Sequence, residues 1–239
     1  MTCGASATSV CYLMLDGPIP ESREDRMVIG TWNMEGRGGA AQSDFLLGGQ
    51  SDVWLLTEVP VQWTLPGFYL TRCDQLMGPR KHWAAVASKK PAAKLPDPHP
   101  ASVAAAVDGV TYVSSILPWR GSGGGLPWHG TTHAERMGNT LAALEPFLVE
   151  QAELVWGGDW NQSMACKESV GSLSGRRALA SLLSRVGLDV PTAHLPHRND
   201  ALRTIDHLAW RGARGNATRV VAALDGRRLS DHDAYVTET

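Results

Sequence analysis

Apolar residues fall into two rhythms along the chain. Short runs dominated by large apolar residues, each stopping at a turn or a polar residue, read as buried strands. They cover residues 27–33, 52–58, 68–72, 83–88, 102–107, 110–117, 153–157, 204–210, 218–224 and 234–236. Asp108-Gly109 between two of these runs predicts a tight hairpin, because both turn positions favour positive φ. The second rhythm is helical. Met137, Leu141, Leu144 and Leu148 share one face within 132–151, and Ala178, Leu179, Leu182, Leu183 and Val186 mark a helix closed by Gly187. A shorter helix is expected over 41–47, ending at Gly48-Gly49. Many strands with only two clear helices favour an α+β sandwich of packed sheets over a doubly wound parallel sheet.

Residues 1–26 do not share this patterning. They are small and polar, then turn-prone and charged, and read as a disordered leader or as a stretch upstream of a natural start at Met27. Residues 27–239 read as one domain.

Composition narrows the class. A 239-residue chain that is 43% hydrophobic and 19% charged buries a sizeable core. Nine Trp against three Phe and four Tyr place several indoles at the edges of a core or cleft. A net charge of −2 argues against holding duplex DNA by bulk positive charge, yet leaves room for a local basic rim. Cys3, Cys11, Cys73 and Cys166 show neither zinc-ligand spacing nor a disulfide framework and read as free thiols. With no apolar stretch of bilayer length and no secretory pattern, the expected compartment is cytoplasmic, without membrane contact. Nothing in the sequence implies an oligomer, so a monomer is expected. Gly121–Gly125 lacks the Lys-Ser/Thr of a P-loop and reads as a flexible loop.

The chemistry lies at the strand ends. Polar residues there are costly if buried, and they recur at Trp32-Asn33-Met34-Glu35, Thr57-Glu58, Gly158-Asp159-Trp160-Asn161, Ile205-Asp206-His207 and Ser230-Asp231-His232. Five carboxylates gathered in one cleft would repel one another unless a cation joined them. Oxygen donors without thiolate select a hard ion, Mg2+ first and Mn2+ second, and disfavour zinc.

Taken in this order, these motifs resemble the endonuclease/exonuclease/phosphatase superfamily, which includes deoxyribonuclease I-like and exonuclease III-like enzymes. The resemblance spans Trp32 to His232. It implies a four-layered α/β sandwich, two packed, mainly antiparallel sheets flanked by helices, with the site where strands end. It also implies Glu58 as principal metal ligand, assisted by Asn33, Glu35 and Asp231. Asp206 and His232 resemble the family's Asp–His pair, Asp159 would orient or deprotonate a water, and Asn161 would donate to a phosphoryl oxygen. Whether His232 or Asp159 is the base stays open.

One departure is visible. Members commonly carry His or Tyr where Ile116 stands, facing the scissile phosphate. Arg120 follows closely as a substitute phosphate contact, and Trp119 as a stacking surface. His129 and His133 read as surface histidines or cleft residues, and Arg80-Lys81-His82 as a polyanion contact or a solvated cluster. Trp128 and Trp160 read as packing or stacking residues, and Arg176-Arg177 and Arg227-Arg228 as exposed faces.

The leading expectation is a metal-dependent nuclease acting on DNA or RNA phosphodiesters by water attack. A phosphatase or phosphodiesterase on a small-molecule or lipid head-group phosphate uses the same site and is the alternative. A binding protein with a weakened site is the third reading, supported by Ile116 alone.

Overall fold

A computed structural model describes residues 27–238 apart from 126, 165–169, 199 and 213–215. The leader expected over 1–26, with Cys3 and Cys11, and also Cys166, lie outside the described residues. In chain order the elements are β1 (Val28–Asn33), α1 (Ala40–Gly48), β2 (Val53–Pro60), β3 (Tyr69–Arg72), β4 (Leu76–Gly78), β5 (Lys81–Ser88), β6 (Ala93–Lys94), β7 (Ser102–Val107) and β8 (Val110–Ile116). They continue with α2 (His133–Glu150), β9 (Leu154–Asp159), α3 (Leu173–Val186), β10 (Asp206–Trp210), β11 (Thr218–Val220), β12 (Ala223–Leu224), β13 (Arg227–Arg228) and β14 (Ala234–Glu238).

The strands build two sheets and a small ribbon. One sheet runs β11-β14-β1-β2-β5-β3, with β4 also on β5; the other runs β10-β9-β8-β7-β6, and β12 pairs with β13. Only the β1–β2 and β8–β9 pairings are parallel among those described. The period-2 alternation of strand side chains then assigns each residue to a layer. Along β2, Val53 and Leu55 face the opposite sheet, whereas Trp54 and Leu56 pack outward with Leu46 of α1. Along β8, Tyr112 and Ile116 point between the sheets, and Val113 and Leu117 point under α2 and α3. Four layers result: α2 with α3, the five-stranded sheet, the seven-stranded sheet, and α1 with the β12–β13 ribbon.

Local sequence accounts for the element ends. Thr132 and Glu135 form a capping box at the start of α2, and Ser172 caps α3 by accepting from the Gly175 N–H. Gly187 closes α3 in the left-handed conformation, with φ +74. Asp108 and Gly109 take φ 48 and 82 at the β7–β8 hairpin. Met137, Leu141, Leu144 and Leu148 are all buried under α2.

One expected strand is divided. Residues 218–224 read as a single run, but β11 ends at Val220 and β12 starts at Ala223. The Ala222 N–H donates to the buried Asp233 carboxylate at 3.0 Å rather than to a neighbouring strand, which turns the chain from β14 towards β13. Cys73 is a free, buried thiol whose pKa is pushed up by burial to about 11, so it carries little thiolate. Among the described residues no helix is long and apolar enough to cross a membrane.

Candidate active site

Register brings the polar strand ends together. Asn33 ends β1, which runs parallel to β2, where Glu58 lies near the same end. Asp159 ends β9 and pairs directly with Asp206, the first residue of antiparallel β10. Ile116 at the end of β8 pairs with Asp159 on its other side. The preceding Gly158 has φ +120, and a Cβ there would lie 2.2 Å from the Ser115 carbonyl oxygen, so the strand admits only glycine one residue before Asp159.

The backbone is strained where the chemistry is expected. Glu35, Glu58 and Asn161 take φ of 54, 54 and 52, half of the six non-glycine residues described with positive φ. Such conformations persist only where surrounding structure enforces them. The enforcing bonds are visible: the Glu35 N–H donates to Asn33 Oδ1 at 2.9 Å, the Gly36 N–H to the Glu58 carbonyl at 3.0 Å, and the Asn161 N–H to Asp159 Oδ1 at 3.0 Å.

Hydrogen bonds tie these groups into one network. Asn33 Nδ2 donates to Asp159 Oδ2 at 3.0 Å and to Glu58 Oε1 at 3.3 Å. Glu35 Oε2 accepts from the Asp231 N–H at 2.9 Å. His232 Nδ1 bonds Asp206 Oδ2 at 2.7 Å, and its Nε2 lies 3.8 Å from Asp231 Oδ1. Ser230 holds the last turn against β1, donating to the Asn33 carbonyl at 2.7 Å and accepting from the His232 N–H at 3.0 Å. Asn161 Nδ2 donates to the Leu117 carbonyl at 3.0 Å and keeps a second amide hydrogen for a ligand.

Burial and charge set the protonation. Asp159, buried and opposite Asp206, has its carboxyl pushed up to about 7, first by burial and then by that neighbouring charge. For His232, burial works against the charged ring. The Asp206 carboxylate and its hydrogen bond, with Asp159 and Asp231, outweigh burial and lift the ring to about 10.

The donor set fits a hard divalent cation. Glu58, Glu35 and Asp231 offer oxygen only, Asn33 turns its Nδ2 to Glu58 and its Oδ1 to the Glu35 N–H, and Glu58 Oε2 already pairs with a cation, the ammonium of Lys81. Lys81 lines a cleft of about 780 Å³ together with Glu35, Gly36 and Arg80. Sequence reading placed Lys81 in a basic cluster and missed this pairing, which depends on β2–β5 register.

Other residues singled out in the sequence lie outside this hydrogen-bond network as described. Ile116 is buried in the core between the sheets and does not face the network. Trp119 and Arg120 are exposed, and no hydrogen bond or ion pair joins Arg120 to the carboxylates among the described residues. Trp119 packs edge-on to buried Trp128, which packs edge-on to Trp83, and Trp160 is fully buried against Trp156. Trp128 and Trp160 are therefore packing residues. His133 links α2 to its neighbours, bonding Ser172 Oγ at 2.8 Å and the Pro118 carbonyl at 3.0 Å. Arg228 also departs from a bare exposed face. It pairs with Asp233 at 2.5 Å and donates to the His232 carbonyl at 3.2 Å, bracing the closing turn.

A four-layered sandwich with carboxylates, an amide and an Asp–His pair at its strand ends defines a phosphoester hydrolase. Residues 30–232 match the Endonuclease/Exonuclease/phosphatase family, and the chain belongs to that family. A comparison with curated protein sequences finds no match. Among solved structures, the chain is similar to a 3'-5' exonuclease (NExo) from Neisseria meningitidis, at 20% identity and TM-score 0.65, covering 88% of this chain and 98% of that one. It is also similar to the AP endonuclease LMAP from Leishmania major, at 14% identity and TM-score 0.64, covering 89% and 87%. The endonuclease domain of TRAS1, a telomere-specific non-LTR retrotransposon, aligns at 14% identity and TM-score 0.61, covering 89% and 97%. At these identities the likeness concerns the fold.

Proposed function

We propose that the protein is a Mg2+-dependent nuclease that hydrolyses DNA or RNA phosphodiesters by in-line attack of water. The observation that carries this reading is the Asn33 amide, which bonds Glu58 and Asp159 at once and so couples a cation-binding side to a water-binding side. The solved neighbours favour nucleic acid as substrate: an exonuclease, an AP endonuclease, a retrotransposon endonuclease, and a variant of NExo described as a 3' phosphatase bound to product DNA hairpin.

In this reading Glu58, with Asn33, Glu35 and Asp231, would hold the ion, which would supply Lewis-acid stabilisation of charge on the phosphate and the leaving oxygen. Asp159, fixed by Asn33 and the Asn161 N–H, orients the attacking water and takes its proton. Asn161 donates its remaining amide hydrogen to a phosphoryl oxygen as charge grows there. His232, held by Asp206, presents Nε2 to the same phosphate as a charged donor. Lys81 and Arg80 give the cleft beside Glu35 positive charge for the flanking backbone.

A substrate panel tests the proposal. Plasmid, single-stranded DNA, RNA and bis-p-nitrophenyl phosphate are incubated with Mg2+, Mn2+ or EDTA. Cleavage of a polynucleotide that EDTA abolishes is expected. Turnover confined to small esters would point to the small-molecule alternative, and silence on all four would remove the enzymatic reading.

A further inference from the structure

Asp206 gives only one of its carboxylate oxygens to His232. Among the described residues the other, Oδ1, is buried without a hydrogen-bond partner, a costly state for a carboxylate. Next to this pair stands a second imidazole. The His197 ring packs edge-on to His232, with centroids 5.9 Å apart and planes at 77°. Its Nδ1 is likewise buried without a partner among the described residues. One nitrogen from each ring and one oxygen of Asp206 lie within 4.8 Å of one another.

The backbone bearing His197 is firmly held. Its N–H donates to the Leu202 carbonyl at 2.8 Å, its carbonyl accepts from Arg219 Nη1 at 2.6 Å, and Tyr235 donates to the adjacent Pro196 carbonyl at 2.9 Å. The ring therefore projects from a fixed backbone.

We infer that His197, Asp206 and His232 form a second metal site, specific for a borderline transition-metal ion of the Zn2+ class, whose occupation switches hydrolysis off. Two imidazoles and one carboxylate suit zinc, whereas the all-oxygen set around Glu58 suits a harder ion. Donor atoms in a tetrahedral zinc site stand about 3.3 Å apart. Closing the set thus asks about 1.5 Å of the longest separation, within reach of a turn of the His197 ring about its side-chain bonds. Solvent takes the remaining position.

Inhibition follows from the atoms shared. Coordination through His232 Nδ1 replaces the proton between that nitrogen and Asp206, and the proton passes to solvent. The ring gives up its hydrogen bond to Asp206 and turns onto the ion, so it is no longer oriented for the phosphate. His197 has no part in the proposed hydrolysis, which separates the two roles.

The test uses the full chain stripped with EDTA. Zn2+ alone is titrated by calorimetry into wild type and into His197→Gln, and phosphodiester cleavage is then followed at saturating Mg2+ with increasing Zn2+. Wild type should bind one Zn2+ more tightly than His197→Gln by about tenfold or more. Without Zn2+ the two should cleave alike, and with Zn2+ wild type alone should be silenced at low concentration. Equal Zn2+ affinity in the two proteins, or inhibition that extra Mg2+ relieves, would overturn the inference by placing zinc at Glu58 or nowhere specific. Zinc binding is read independently of cleavage, so failure of the nuclease proposal is separately visible.

Discussion

Asn33 on β1 and Asp159 on β9 join the two sheets by a hydrogen bond of 3.0 Å between residues 126 positions apart. The same amide nitrogen reaches Glu58 on β2 at 3.3 Å. One neutral side chain thus spaces two carboxylates that would otherwise repel, and fixes both for separate tasks. Asn33→Ala should lower Mg2+ affinity by about 10- to 100-fold, the usual cost of losing a group that orients metal ligands. Titrating Mn2+ binding by electron paramagnetic resonance checks this. Unchanged affinity with lost turnover would place Asn33 on the water side only.

Asp206 should matter through His232. Replacing it by Asn removes the charge and leaves the shape, so His232 loses its fixed orientation and its charged form. Turnover should fall by about 10²- to 10⁴-fold with little change in KM. In an NMR titration the raised His232 pKa should drop towards the ordinary imidazole range. A ring still held near its wild-type value would show that Asp159 and Asp231, not Asp206, dominate.

Acid stability should be governed partly by His207. Its ring is fully buried, Nε2 bonded to the Gln162 carbonyl at 2.9 Å and Nδ1 to Thr192 Oγ1 at 3.1 Å. Burial pushes its pKa down to about 4, below the unfolded value of 6.5. The unfolded chain therefore takes up the proton first. Stability is present above pH 6.5 and is lost as pH falls through the folded value, by about 3 kcal/mol for this ring. His207→Gln keeps a donor for Gln162 and should lose less between pH 7 and 4 in urea unfolding. Parallel slopes for the two proteins would contradict this.

Gly158→Ala should be severely destabilising. The added Cβ would meet the Ser115 backbone at 2.2 Å, where no side chain can yield, at a φ of +120. A loss of at least about 3 kcal/mol is expected from denaturant unfolding. A near-neutral result would mean that the β8–β9 register can slip without cost.

Much of this architecture was legible in the sequence because it rests on local rules. The Asp108-Gly109 turn, the Leu141–Leu144–Leu148 face of α2 and the Gly187 stop are each written in a few neighbouring residues. The site motifs were legible for a related reason: Asn33, Asp159 and Asp206 interrupt apolar strands at their ends. Contacts set by distant register were not. β6 and β13 are two-residue strands with no periodicity to read. The Lys81–Glu58 pair follows from the β2–β5 alignment, and the approach of His197 to His232 from a loop closed by Tyr235 and Arg219.

The central claim is that Asp159 and a divalent ion held at Glu58 cleave a phosphodiester together. Single-turnover cleavage of plasmid DNA in Mg2+, comparing wild type with Asp159→Asn and Glu58→Gln, tests it most directly. Asp159→Asn should bind Mn2+ yet cleave about 10²- to 10⁴-fold more slowly, whereas Glu58→Gln should bind the ion weakly and recover rate only as Mg2+ is raised. Wild-type rates in Asp159→Asn, or cleavage by any of the three that survives EDTA, would contradict the account.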